Sequence, residues 1–151
     1  MPCQPSIRTC PSAHRIYGER YSPVDTLAQD AEKILAKLQQ EGFRLGVISN
    51  RSNPFDEQLE ELGIGTFFEY SLAAGTIDAW KPNPLIFQYA LTKMNVKPEQ
   101  AVYVGDNYFA DVVGARNAGL KPILIDPVNL FPEANCTVIE SISDLSVISA
   151  D

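Results

Sequence analysis

The run Val102-Tyr-Val-Gly105-Asp106 constrains this chain more than any other part of it. Three β-branched or aromatic residues write a strand, and the glycine permits an abrupt turn. Asp106 and Asp111 then place two carboxylates five residues apart. Carboxylates are the hard oxygen ligands that Mg²⁺ prefers, so a strand ending in this way reads as one wall of a magnesium site. The same two aspartates also read as caps of the helix that follows, because side-chain oxygens accept its free N–H groups.

Two further segments share this grammar. Leu45-Gly-Val-Ile-Ser49-Asn50 is a second short apolar run, ending in a hydroxyl and an amide. Trp80-Lys81-Pro82-Asn83-Pro84 holds a lysine in a proline-stiffened loop just before a helix. Ser49 also reads as a turn cap beside a left-handed Asn50, and Lys81 as a solvated loop residue. Trp80, Tyr103 and Tyr108 read as packing residues.

The punctuation between these runs predicts alternating helices and strands. Leu27, Ala31, Ile34, Leu35 and Leu38 recur at helical spacing from Thr26 to Glu41, and Gly42 stops that helix. Phe43 to Ser49 reads as a strand, and Pro54 as the first residue of a helix that ends at Gly63. Glu69 to Ala73 reads as a short strand. Asn83-Pro84 opens a helix with Phe87, Ala90, Leu91 and Met94 as its buried stripe. The Val102 strand, a short helix from Asp111 to Ala118, a core strand from Ile123 to Ile125, an edge strand from Cys136 to Ile139 and an Ile142 to Ile148 tail complete the order. Strands alternating with helices imply an α/β fold with a doubly wound parallel sheet and right-handed crossovers. Polar groups in such sheets gather at the carboxyl ends of the strands, where Ser49, Asp106 and the Lys81 loop all fall.

Composition fits one globular domain: 151 residues, 45% of them hydrophobic. An N-terminal segment, residues 1–20, is expected to be irregular, with the domain over residues 21–151. A net charge of −7 and the absence of basic runs argue against nucleic-acid binding, because the phosphate backbone would be repelled. Apolar stretches such as Pro122-Ile-Leu-Ile are strand length, far short of the roughly 20 residues that span a bilayer, so no membrane partner is expected. The N-terminus lacks the apolar block of a secretory signal, and a cytoplasmic protein is the expectation. Cys3, Cys10 and Cys136 support no disulfide framework, and Cys3, Cys10 and His14 match no standard zinc spacing.

Taken together, Gly-Val-Ile-Ser49-Asn, Lys81-Pro-Asn-Pro-Leu-Ile-Phe and Val-Gly-Asp106-Asn-Tyr-Phe-Ala-Asp111-Val-Val-Gly-Ala resemble the second, third and fourth motifs of the haloacid dehalogenase (HAD) superfamily. The likeness runs from about Tyr17 to about Leu145. It implies a Mg²⁺-dependent phosphatase type of hydrolase acting on a small phosphorylated molecule. Ser49, with Asn50, would bind a phosphoryl oxygen, and Lys81 would offset charge on phosphate and nucleophile. Asp106 and Asp111 would hold Mg²⁺ directly or through water.

The family's first motif, an Asp-x-Asp pair whose first aspartate attacks phosphorus, does not occur in these residues. Asp25 reads instead as a helix cap, since Pro23 precedes it and no apolar strand leads into it. The family's cap insertion is missing as well. Covalent catalysis without its nucleophile has lost the step that divides the reaction, so this chain alone is expected to be inactive. Three descriptions follow: a hydrolase whose nucleophile comes from an unrecognised residue, a partner chain or a fuller product of which this is the C-terminal part; an inactive descendant that binds a phosphorylated ligand or a protein partner; and a non-functional or poorly stable fragment. The central strand of the sheet is expected to be missing too. The strands ending at Ser49 and Asp106 must then pair directly, accept a substitute from a copy or a complementing chain, or leave open edges.

Overall fold

The structure, a computed structural model, describes residues 26–147. The expectations for residues 1–20, Asp25, Cys3, Cys10 and His14 lie outside the described residues, as does the end of the Ile142 to Ile148 tail.

The first helix, α1, spans Ala31–Gln40, later than the periodicity predicts. Asp30 has φ 62°, a left-handed conformation that no helix interior tolerates, so residues 26–29 cannot join it. Strand β1 is Gly46–Ser49, and helix α2 is Asp56–Glu61. Pro54 does not start that helix. Phe55 takes the N-cap position with φ −135° and is buried in the core, which displaces the start by two residues. Strand β2, Tyr70–Ala73, runs directly into a single helical turn, α3, Ala74–Ile77.

Helix α4, Pro84–Met94, forms as its signals require. Asn83 caps it by accepting the Leu85 N–H at 3.0 Å, with Pro84 at the first position. Its buried stripe is Ile86, Phe87, Ala90 and Leu91, while Met94 is half-buried. Strand β3, Val102–Gly105, is followed by a π-helical turn, Tyr108–Val113, which continues as α5, Gly114–Asn117. Strand β4, Lys121–Ile125, edge strand β5, Thr137–Ile139, and a 3₁₀ turn, Ile142–Val147, complete the order. Among the described residues no helix is long and apolar enough to cross a membrane.

All strand pairings are parallel, as the alternation of elements predicts. Among the described residues the strands form two sheets, β1-β2 and β3-β4-β5. Of the three arrangements open to the strands ending at Ser49 and Asp106, direct pairing is therefore not the one adopted. The sheets share a core through α4, whose Phe87 and Ile86 are fully enclosed among Leu72, Ala115 and Leu120, with Ile48 and Tyr103 packed alongside. On α1, Leu35 packs into a second cluster with Phe55, Leu59, Ile64 and Ala73, while Ile34 joins Ile123 and Leu145 in a third.

Candidate functional site

Three loops meet at the carboxyl ends of β1 and β3, and side chains join them. The Asn50 amide clamps the main chain of Lys81: the Lys81 N–H donates to Oδ1 at 2.8 Å, and the Lys81 carbonyl accepts from Nδ2 at 3.0 Å. Lys81 then reaches across to the other sheet. Its ammonium donates to Asp111 Oδ1 at 2.6 Å and to the Tyr103 hydroxyl at 3.0 Å. The two charged side chains are 11% and 5% exposed, so this is a buried pair.

Asp111 is seated by local geometry. Its Oδ2 accepts the Asn107 N–H at 3.0 Å, and any Cβ at Gly105 would collide with its carboxylate, so glycine is the residue that lets β3 end here. The capping role falls to Asn107, whose Oδ1 accepts the Ala110 N–H at 2.9 Å. That frees Asp111 to meet Lys81 instead of serving only as a cap. Asp106 is exposed at the strand end. Ser49 is half-buried, and its hydroxyl has no hydrogen-bond partner among the described residues. Trp80, expected to pack, is 40% exposed beside Lys81.

Two residues take parts that sequence reasoning did not assign. Tyr103 packs its ring edge-on against Phe87, with centroids 4.8 Å apart, and presents its hydroxyl to Lys81. The available signal was a polar-tipped aromatic in an otherwise apolar strand, three residues before Asp106. Asn50, expected on the phosphate side, has both ends of its amide engaged by the Lys81 backbone.

The electrostatics keep the lysine charged. Burial alone would lower the Lys81 pKa, but the Tyr103 oxygen and the Asp111 carboxylate outweigh it and leave it raised. Burial chiefly pushes the Tyr103 phenol up to about 12. A neutral phenol and a cationic ammonium therefore persist together at ordinary pH. No cluster of three or more His, Cys, Asp and Glu side chains gathers among the described residues. Two carboxylates nevertheless suit Mg²⁺, which accepts few protein ligands and keeps several waters. Both Asp111 oxygens already have partners, so Asp106 is the open donor.

Comparison with known proteins places the chain in a family. A family model described as haloacid dehalogenase-like hydrolase matches residues 10–125. The chain is 39% identical over 95 residues to a glyceraldehyde 3-phosphate phosphatase of Pyrococcus furiosus, covering 62% of this chain and 39% of that protein. It is 38% identical over 123 residues to the protein of the same name from Methanothermobacter thermautotrophicus, covering 76% and 54%. The crystal structure of a HAD phosphatase from Thermococcus onnurineus superimposes with a TM-score of 0.70 at 28% identity, covering 79% of this chain and 56% of that one. The chain thus spans about half, or less, of the length of these relatives. The family match extends over most of the chain and takes in Ser49, Lys81, Asp106 and Asp111 together, and the protein belongs to the haloacid dehalogenase-like hydrolases.

Proposed function

We propose that this chain carries the phosphate- and magnesium-binding half of a phosphatase site and does not turn substrate over by itself. The observation that carries the reading is the Lys81 ammonium. It is held charged and nearly buried between Asp111 and Tyr103, on a loop clamped to the end of β1 by Asn50. In this reading the Ser49 hydroxyl donates to a phosphoryl oxygen, and the ammonium offsets the charge that a phosphorane-like transition state would develop. Asn50 serves by positioning Lys81. Asp106, with Asp111, holds Mg²⁺ among waters, and the ion when bound neutralises phosphoryl charge. The expected ligand is a small phosphorylated molecule, a reading supported by relatives named as glyceraldehyde 3-phosphate phosphatases. The missing Asp-x-Asp pair is the reason for expecting no turnover.

Trp80, the one tryptophan of the chain, is a built-in reporter beside Lys81. Titration with inorganic phosphate and Mg²⁺ is expected to change its fluorescence, and Lys81→Ala to remove the response. Hydrolysis of an aryl phosphate is measured in parallel, with Asp106→Asn as control. Turnover that requires both Mg²⁺ and Asp106 would show that the chain is active alone and possesses another nucleophile.

A further inference from the structure

A lysine ammonium has three N–H donors and no acceptor. Among the described residues two of the donors at Lys81 are engaged, one by Asp111 Oδ1 at 2.6 Å and one by the Tyr103 hydroxyl at 3.0 Å. The lysine side chain is only 11% exposed, so water has little access to the third. Lys81 therefore brings one donor to the site.

The way Tyr103 meets the lysine decides what it contributes. The ammonium lies 5.5 Å from the centre of the Tyr103 ring but 3.0 Å from its hydroxyl oxygen, so it stands off the tip of the ring and not over its face. A cation–π contact uses the ring face, which phenylalanine would offer as well. An oxygen lone pair at the tip of the ring is what tyrosine adds.

The ring is fixed by the core. It meets Phe87 edge-on with centroids 4.8 Å apart, and Phe87 is fully buried. The Phe87 ring in turn lies against Gly114, where a Cβ would stand 2.7 Å from it. Close-packed side chains of this kind keep to one rotamer, so the hydroxyl is carried by the packed interior and not by the loops of the site. Lys81 is thus held at both ends, its main chain by Asn50 and its tip by Asp111 and Tyr103.

We infer that Tyr103 is a positioning residue of the phosphate site, an assignment that rests on the reading given above: its hydroxyl takes up one ammonium N–H and leaves Lys81 a single donor of fixed direction for one phosphoryl oxygen. An apolar ring of the same shape would leave two donors free to turn, and part of the binding energy would go into ordering them. Tyr89 and Lys93 supply an internal comparison. They also bring an ammonium to a tyrosine ring, 5.3 Å from its centre, but on helix α4, where Lys93 is exposed.

The test sets Tyr103→Phe beside Tyr89→Phe in the full chain. With isotope-labelled lysine, NMR follows the Lys81 ammonium directly, its signal assigned by its loss in Lys81→Ala. At fixed pH its protons are expected to exchange slowly with water in the unaltered chain. Tyr103→Phe should speed that exchange roughly tenfold, as loss of a hydrogen bond to a charged group implies, and Tyr89→Phe should leave it as it was. Inorganic phosphate with Mg²⁺ is then titrated against Trp80 fluorescence. Tyr103→Phe should weaken phosphate binding roughly fivefold, and Tyr89→Phe should not. Equal amide protection of β4 in both variants shows that the fold is kept. Unchanged ammonium exchange in Tyr103→Phe overturns the positioning role. Faster exchange with phosphate affinity unchanged or tighter overturns its service to binding. A slow ammonium that depends on Tyr103, in a chain that takes up no phosphate, keeps Tyr103 as the residue that positions Lys81 and removes the phosphate reading instead.

Discussion

Lys81 and Asp111 stabilise each other in a place nearly closed to water. Removing one partner of a buried pair strands the other without water, which typically costs about 3–5 kcal/mol. Lys81→Met is therefore expected to lower stability by about that amount in urea unfolding. Adding Asp111→Asn should recover a substantial part of the loss, because the stranded carboxylate is gone. If the two effects simply add, the pair is not coupled as its geometry implies. The individual residues were readable: Ser49, Lys81, Asp106 and Asp111 each stand beside a glycine, proline or strand end that marks them. Their partners were not. Asn50 meets Lys81, and Lys81 meets Tyr103, across loops from separate parts of the chain, and no local pattern encodes such a meeting.

Helix α4 and the loop after β4 show how much of this fold depends on single elements. Phe87, fully buried, touches Tyr103 edge-on, and Gly114 of α5 lies so close that a Cβ there would stand 2.7 Å from the Phe87 ring. Phe87→Ala is expected to cost about 3–5 kcal/mol, read as a lower denaturation midpoint, and to loosen Lys81 through Tyr103. The helix was legible because its Asn-Pro start and apolar stripe are local. The π-helical turn at Tyr108–Val113 was not, and Asp111 within it meets Lys81 from a distant loop. After β4, the Asp126 carboxylate accepts the N–H groups of Leu130 and Phe131, both at 2.9 Å, and Phe131 stacks on Tyr108. The Leu130 N–H chiefly lowers the Asp126 pKa, against the opposing effect of burial. A lowered carboxylate pKa contributes stability above the unfolded value and loses it as pH falls through the folded one. The Leu130 and Phe131 amides should therefore stay protected at about pH 4, the ordinary carboxylate value, and lose protection only as pH falls further, through the lowered folded value. Asp126→Asn should open the loop at neutral pH.

At the scale of the molecule, two parallel sheets are joined, among the described residues, by side chains of shared helices and not by a backbone ladder. A two-stranded pair is marginal by itself, whereas three strands with covered faces are better supported. Native-state hydrogen exchange is expected to show β1 and β2 opening at lower free energy than β3 to β5, as separable units. A single opening energy for all five strands would overturn this. The sequence by itself determined the class of fold, the order of elements and the residues at the strand ends, because periodicity, glycine, proline and caps act over a few neighbours. Tertiary structure alone decided that β1 and β3 stay apart, that Asn50 serves Lys81, and that Tyr103 joins the site. Those outcomes depend on which distant surfaces meet once α4 is packed, and on whether anything is present to pair with two inner edges.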